Sequence, residues 1–472
     1  RRNVVEMSRQ AAQQMKQTLV AAPLDKLTNE PVEKARRQLR AQFDLHDGGF
    51  GFAPKFPQPA QLLFLLQDED RHSAEMALFT LERMAAGGIH DHVEGGFHRY
   101  ATDAAWRTPH FEKMLYDQAL VARAYLAAFR RTGDKQYAAV ARRTLDFALE
   151  NMRDARGAFH SALGADSAVS AQQPQRFEEG AYYVWEWKSL RQAIPDLALR
   201  QWAIARYGLK QDGNVVDGAP VELAGKNILY VARSEAELAE LFGENPATVR
   251  ERLAAVNRLL LAARRARPAP LRDDKIVTAW NGYMVTALAE AGQLLEAPRY
   301  RRAAQETARF ILDKSYDEKR NVLYRDWRQG KRGVRAFAED YAAMAEALLA
   351  LHGLDGNPAW LATARKLTDA QIGHFWDATD GGFYGAGADD GLWLRAKPAA
   401  DNVTPSPSAM AVGNLLRLDR LTGVKGYADK AVRTAAWQGG ALRETPESMP
   451  YTLMHWPLLR AQAGGTGGGK SP

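Results

Sequence analysis

YMVTALA, residues 283–289, is the run whose reading decides the fold. Only Thr286 interrupts Tyr283, Met284, Val285, Ala287, Leu288 and Ala289, so no polar stripe appears at helical spacing. A helix that is apolar all round is buried on every side rather than laid on a surface. Outward from this run, the same pattern recurs as a unit. A first helix rich in Ala and Leu is followed by a second helix and then by a short turn carrying an aromatic. Asp117 is followed twenty residues later by Tyr137, Asn281 nineteen later by Tyr300, and Asp340 twenty later by Trp360; Ser408 and Tyr427 repeat the spacing. The turns are GAFH (157–160), NVLY (321–324) and GGFY (381–384), and GGFH (95–98) and GGF (48–50) are of the same type.

A period of roughly 60 residues marks a repeat architecture in which each unit buries its apolar face on its neighbours. An open solenoid would leave a polar face on each first helix, and these have none. The expectation is therefore an all-α protein, an (α/α)6 toroid with short aromatic β-turns at one mouth. The first helices form its inner layer. The second helices, such as 134–152 with Arg142, Arg143 and Asp146, form its outer layer. Hairpins are expected over 58–86, 110–152, 186–266, 276–315, 338–376 and 405–438. A last helix at 446–463 would close the ring against N-terminal helices at 4–20 and 31–44. On this reading residues 1–463 form a single toroid domain and 464–472 a flexible Gly-rich tail.

Composition narrows the function classes. The 472 residues are 46% hydrophobic and 25% charged, as in soluble globular proteins. No apolar run is long enough to span a bilayer, so no membrane role is expected. The absence of Cys excludes disulfides, thiol nucleophiles and thiolate metal sites. The net charge of +7 is dispersed over helical faces. Its densest run, RRARP at 264–268, sits where a helix ends, a favourable place for cations, so nucleic acid is not an expected partner. The chain opens on Arg1-Arg2 without an initiator Met, so something upstream is expected to have been removed or left out. Nothing in the residues assigns a compartment.

The chemistry concentrates in GGIHDHVEGGFHRYATDAAWRTPHFEKMLYD, residues 87–117, which holds four of the ten histidines. Polar groups among aromatics and permissive glycines suit a binding cleft, or a satisfied corner between helices. A helix beginning at Pro109 with Thr108 as its cap would place His110, Lys113 and Asp117 on one stripe, with Glu112 and Tyr116 on the next. If the first helices form the inner ring, Asp117, Asn281 and Asp340 reach equivalent heights near one mouth. Glycoside hydrolysis needs two carboxyl groups across the scissile bond, and Asp117 with Asp340 is the candidate pair, Glu112 and Asp166 standing as substitutes. Epimerisation beside a carbonyl needs an acid and a base of near-neutral pKa, for which His98 and His110 are candidates, with His92 behind them. Trp106, Trp185, Trp280 and Tyr100 would stack on a sugar face, Arg99, Lys113, Arg395 and Lys397 would hold anionic groups, and Tyr116, Asp166, Asn281 and Asp401 are further substrate-binding candidates. The structural alternative is that the Asp residues buttress buried helix ends, the aromatics are core, and the cations pair with Asp103, Asp117 and Asp401. His90-Asp91-His92 is too weak a pattern to assign a metal. No phosphate loop or dinucleotide fingerprint is present, and no cofactor is expected.

The stretch from Gly87 to Ala119 closely resembles the signature of the spermatogenesis-associated-protein-20-like family, as do DGGFGFAPKFP (47–57), DDKIVTAWNG (273–282), EDYA (339–342) and LRAKPAADNVTPS (394–406). The resemblance runs from about residue 40 to 420. It implies an (α/α)6 domain similar to six-hairpin glycosidases and sugar 2-epimerases of the N-acylglucosamine type, normally preceded by a thioredoxin-like domain. Three positions depart from the family pattern. Gln118 stands where an Asn is usual, Gly164 where an Asp is usual, and Pro407-Ser408 where Gly-Asn is usual. The functional expectation is a carbohydrate-active or carbohydrate-binding protein taking a small sugar-like ligand. The alternative is an inactive module that binds a ligand or a partner, including its own thioredoxin-like domain.

Overall fold

The computed structural model describes residues 6–7, 23–215, 220–392 and 394–465. The helix expected over 4–20 therefore lies outside the described residues, apart from Glu6 and Met7. Among the described residues there are eighteen α-helices: α1 Glu30–Gln42, α2 Pro59–Gln67, α3 Arg71–Ala86, α4 Leu115–Thr132, α5 Lys135–Phe147, α6 Trp187–Ala193, α7 Leu197–Tyr207, α8 Glu235–Phe242, α9 Pro246–Arg265, α10 Thr278–Leu294, α11 Pro298–Lys314, α12 Ala338–Asp355, α13 Pro358–Phe375, α14 Pro407–Thr422, α15 Tyr427–Trp437, α16 Gly439–Glu444, α17 Pro450–Leu453 and α18 Trp456–Gly465.

Six of them, α2, α4, α10, α12, α14 and α17, pack side by side in that cyclic order and close on themselves. They are the inner layer of an (α/α)6 toroid. Their burial follows their composition: in α10 everything from Asn281 to Ala289 is buried. Small residues let the inner helices approach, and a Cβ on Gly282 would lie 2.8 Å from the Ala343 carbonyl carbon of α12. Outer helices are one-sided. In α11 the buried residues Tyr300, Ala303, Ala304, Thr307, Ala308 and Ile311 form a single stripe, while Arg301, Arg302 and Arg309 are exposed. Two of the inner–outer pairs, α4–α5 and α12–α13, join through tight turns with a left-handed Gly followed by a capping residue. Gly133 precedes Asp134, whose carboxylate accepts from Gln136 N at 2.8 Å; Gly356 precedes Asn357, which caps Ala359 N at 3.0 Å.

Two expectations need correction. Residues 186–266 do not supply a ring hairpin. Helices α6 to α9 gather around a separate core of Trp185, Trp202, Leu238, Val249, Val256 and Leu260. The sixth place in the ring is filled from the two ends of the described chain. α17 completes the inner layer, and α1 packs behind it against the 3-10 turn Pro446–Ser448. The Trp456 indole donates to Thr28 O at 2.7 Å and Gln38 Nε2 to Glu444 O at 3.0 Å, tying the ends together.

The second correction concerns the start of α4. Residues 109–114 are extended and the helix begins at Leu115. Pro109–His110 pairs antiparallel with Tyr100–Ala101, and Lys113–Met114 with Ala162–Leu163. Partners outside the helix take these residues' hydrogen bonds: Arg99 N donates to Glu112 O at 2.9 Å, and Phe111 N donates to the Glu179 side-chain Oε1 at 3.2 Å. His110, Lys113 and Asp117 consequently do not share a stripe.

Candidate functional site

The Gly-Gly-Phe turns are built to one plan. In each, an Asp opens the turn, a Gly four residues on donates back to the Asp carbonyl, and a Lys from the segment leading to the next inner helix is buried across it. Lys113 Nζ donates to Asp91 Oδ2 at 2.8 Å and Gly95 O at 2.9 Å; Lys397 Nζ donates to Asp377 Oδ2 at 2.7 Å and Gly381 O at 3.1 Å. Lys55 repeats the clasp on Asp44 and Gly48 O. At Asp91 the Arg264 guanidinium of α9 adds contacts of 2.7 and 2.8 Å. Burial alone would raise the Asp91 carboxyl, but Arg264 and Lys113 outweigh it and hold it well below the usual carboxylate range. Lys113 and Lys397, expected to hold ligand, are thus spent inside the turns.

In four of the five aromatic turns, a side chain in the first turn of the inner helix grips the turn's backbone. Gln118 Oε1 accepts from Phe97 N at 2.8 Å while its Nε2 donates to Phe97 O at 2.7 Å. Asn281 does the same to Phe159, at 2.8 and 3.0 Å. The Tyr341 hydroxyl takes Leu323 N at 2.9 Å, and Ser408 Oγ takes Phe383 N at 3.4 Å. Gly96, at φ +77°, makes room for the grip, since a Cβ there would lie 2.8 Å from Gln118 Oε1. These contacts fix the register of the repeat. Asp117 and Asp340 are equivalent, each just before a gripping residue, whereas Asn281 is equivalent to Gln118. Two of the three departures fall on this grip: Gln118 keeps both bonds, and Ser408 keeps one.

The equivalent acids meet different surroundings. Asp340 is 0% exposed and saturated. Its Oδ1 accepts from Ala279 N at 3.0 Å, and its Oδ2 from Phe337 N at 2.9 Å and Arg325 Nη1 at 3.2 Å. Burial pushes its carboxyl up to about 7 against the pull of Arg325. Asp117 is 3% exposed, and its buried Oδ2 has no partner. Burial raises its carboxyl well above the ordinary value, Arg99 opposing and Glu112 reinforcing the rise. It opens on a cavity of about 230 Å³ at the N-terminal ends of the inner helices, between Phe56–Gln61, Asp401–Val403, Glu447, Ser448 and Pro450. Asp340 is not in its lining, so the expected hydrolytic pair does not face one cavity. Asp401 does line it, its carboxylate accepting from Ser406 N at 2.7 Å and Tyr451 N at 2.8 Å. Burial carries the Asp401 carboxyl up to about 7 against those two bonds.

Beside the cavity lies a half-buried cluster. Phe56 packs on Tyr100 with ring centres 4.8 Å apart, and Tyr100 stacks on His110 at 5.0 Å. His110 Nδ1 lies 2.7 Å from Glu179 Oε1, a hydrogen bond that raises the imidazole's affinity for a proton. Glu112 is held by Arg99 Nη1 at 3.0 Å. Tyr116, its phenol raised by burial, meets Trp280 edge to face at 5.0 Å.

The remaining candidates lie elsewhere. His98 is enclosed between Phe111 and Tyr183 with Nδ1 2.9 Å from Phe111 O, and burial lowers its pKa well below the ordinary value. It does not form a pair with His110. His92 is buried on Gly87 O at 2.9 Å, with a pKa lowered by burial to about 3. Trp106 is a core residue whose indole donates to Asp47 O at 2.9 Å, and Trp185 is buried under Arg267. Asp166 is exposed on a hairpin with Phe177–Glu179. Arg395 stacks on Tyr384 and donates to Ala386 O at 3.0 Å.

Below the mouth, four inner helices send polar groups to the ring axis, which the sequence reading passed over. Arg123 of α4 reaches Glu290 of α10 and Glu346 of α12, both at 3.0 Å, and donates to the Tyr451 hydroxyl of α17 at 3.0 Å. Tyr451 in turn donates to Glu346 at 2.6 Å. The signal was a lone charge inside an otherwise apolar helix, as in LVARAYL (120–126) and MAEALLA (344–350). Gln58, Gln61 and Glu447 carried no such signal.

The ring, its aromatic turns and its mouth cavity place the chain among the (α/α)6 toroid proteins. Its structure is similar to cellobiose 2-epimerase from Bacillus thermoamylovorans (TM-score 0.55, 10% identity, 92% of this chain and 99% of that one). It is also similar to a D-mannose isomerase (0.53, 11%, 92% and 96%) and to a family GH76 α-mannanase from Bacteroides thetaiotaomicron (0.52, 8%, 91% and 94%). At these identities the likeness is one of fold. No family model matches the chain. In sequence it is 38% identical over 442 residues to spermatogenesis-associated protein 20 of Homo sapiens and 36% identical over 442 to that of Mus musculus, covering 88% of this chain in each case. The chain belongs to the spermatogenesis-associated-protein-20-like family through its helical toroid, and spans 56% of the length of those two relatives.

Proposed function

We propose that the toroid binds a carbohydrate in the mouth cavity and that the Asp117 carboxyl is the acid that serves it. The observation that carries this is Asp117, which lines the cavity at the ring mouth and whose buried Oδ2 has no hydrogen-bond partner. A buried carboxyl without a partner costs about 1–3 kcal/mol, a cost that a bound hydroxyl would offset. Perturbed carboxyls in clefts mark functional sites. The fold shared with sugar epimerases and mannanases favours a sugar, by analogy of fold. Hydrolysis by Asp117 with Asp340 draws no support from the saturated Asp340, nor epimerisation by His98 with His110 from the enclosed His98. The reading is accordingly one of binding with a single acid, and the inactive ligand-binding module is its near neighbour. The thioredoxin-like domain implied by the family resemblance is proposed for the length of the relatives that this chain does not span.

Thermal shift of the purified chain against a panel of mono- and disaccharides tests the reading. At least one sugar should raise the melting temperature of the wild-type chain, and Asp117→Asn should abolish that rise. A panel with no response in the wild-type chain would remove the carbohydrate reading and leave the partner-binding one.

A further inference from the structure

The chain carries a net charge of +7, yet carboxyl groups are the ionisable side chains that line its mouth cavity. The lining contains Asp117, Asp401 and Glu447 and no Lys, Arg or His. Two of these acids hold a buried oxygen without a partner, Asp117 Oδ2 and Glu447 Oε2. Arg99, the cation that acts on Asp117, is paired with Glu112 at 3.0 Å. The helix N-termini at the mouth would ordinarily favour an anion. Here Asp401 already takes the Ser406 and Tyr451 N–H groups of α14 and α17. Ser448 Oγ donates away from the cavity to Thr445 O at 2.7 Å, and Asn402 Oδ1 accepts from Val403 N at 2.9 Å. Among the described residues no three His, Asp or Glu side chains converge to hold a metal ion, so the acids do not read as a cation cage.

Such a lining offers acceptors, and a cation that enters it would favour the charged form of the Asp117 carboxyl over the protonated one that burial favours. An ammonium group supplies three donors and one positive charge, and pairs strongly with a carboxylate where water is excluded. Phe56, Pro57, Pro59, Val403 and Pro450 provide apolar walls for a carbon frame. Building on the carbohydrate reading above, we propose that the cavity is specific for an amino sugar with a free amine, which pairs with Asp117, with Glu447 as a second acceptor. The same lining rejects phosphorylated sugars and uronic acids, whose anionic groups would face carboxyl groups with no cation to hold them.

The test is calorimetric titration of the whole chain with glucosamine, mannosamine and galactosamine. Each is set beside its neutral parent, its N-acetylated form and its 6-phosphate, with glucuronate and ethanolamine alongside. At least one free-amine sugar should bind tenfold or more tightly than its parent. N-acetylation should remove the advantage, and the phosphates and glucuronate should give no heat. Asp117→Asn should bring the amino sugar down to the level of its parent. Glu447→Gln, at a more exposed position, should reduce the advantage in a chain whose fold is checked by circular dichroism. Parent and amino sugars binding equally, or a phosphate binding tightest, would overturn the amine preference and leave the carbohydrate reading standing. Ethanolamine binding as tightly as any amino sugar would uphold the amine and remove the sugar. Silence from every compound would remove both.

Discussion

Asp117 and Asp340 occupy the same place in two repeats and have opposite fates. Both sit one residue ahead of the side chain that grips an aromatic turn, and both are buried with raised carboxyls. Asp340 has three hydrogen-bond partners, whereas Asp117 has an oxygen with none and a cavity in front of it. A repeat therefore fixes where an acid stands, and the neighbouring elements decide what it does. Arg325 lies against Asp340 at 3.2 Å, while Arg99, beside Asp117, is drawn to Glu112. A buried acid with all its partners is a joint in the scaffold; one without them is available to a ligand.

The sharpest way to break the comparison is to remove a joint that is wholly buried. Lys113→Ala leaves Asp91 facing Arg264 alone, and should cost about 4 kcal/mol of stability by urea unfolding, as loss of one partner from a buried ion cluster does. Asp340→Ala strips three donors of their acceptor and should cost about 3 kcal/mol. Gln118→Ala frees the Phe97 N–H and C=O beneath the ring mouth, with an expected loss of about 2 kcal/mol and a smaller one for Gln118→Asn. Asp117→Asn loses no hydrogen-bond partner and removes a carboxyl that burial raises well above its ordinary value, so it should leave the chain at least as stable as the wild type at neutral pH. If Asp117→Asn unfolds the chain as readily as Asp340→Ala does, the contrast between them collapses.

A pH series gives the gentlest test. The carboxyls of Asp340 and Asp401 are raised to about 7 in the folded chain. Unfolded carboxyls release their protons near 4, so between about 4 and 7 the folded state holds more protons than the unfolded one. The contribution of these two groups is fully present below that window and lost as pH rises through it. The urea midpoint of Asp401→Asn should therefore fall less steeply from pH 5 to pH 7.5 than that of the wild-type chain.

The ring itself was readable because it rests on patterns of many residues. The run at 283–289, apolar but for Thr286, the recurring spacing and the Gly-Gly-Phe turns all reappear in the structure. Strand pairing overrode local helix signals at Pro109–Met114, because hydrogen bonds to Tyr100–Ala101 and Ala162–Leu163 cannot be seen from neighbouring residues. The helices at 187–265 have ordinary amphipathic patterns, which say that they bury a face but not which core receives it. The candidate site was legible in part. Asp117 and Asp401 were found by residue type, but Lys113 and Lys397 look the same in sequence whether they face a ligand or a turn. Gln58 and Gln61 lie on one segment and Glu447 far along the chain from it, and only closure of the ring brings them together.

That closure makes the molecule a belt whose buckle is formed by its two ends. The contacts from Trp456 to Thr28 and from Gln38 to Glu444 join residues about 400 apart in the chain, whereas each hairpin joins neighbours. Long-range contacts carry the greatest chain-ordering cost before they are rewarded, so the buckle is expected to fasten last, after the hairpins have stacked. A circular permutant opened at the exposed Gly243–Glu244 turn would move that seam to the interface between α4 and α10, which would then join opposite ends of the permuted chain, and its last folding step should shift there.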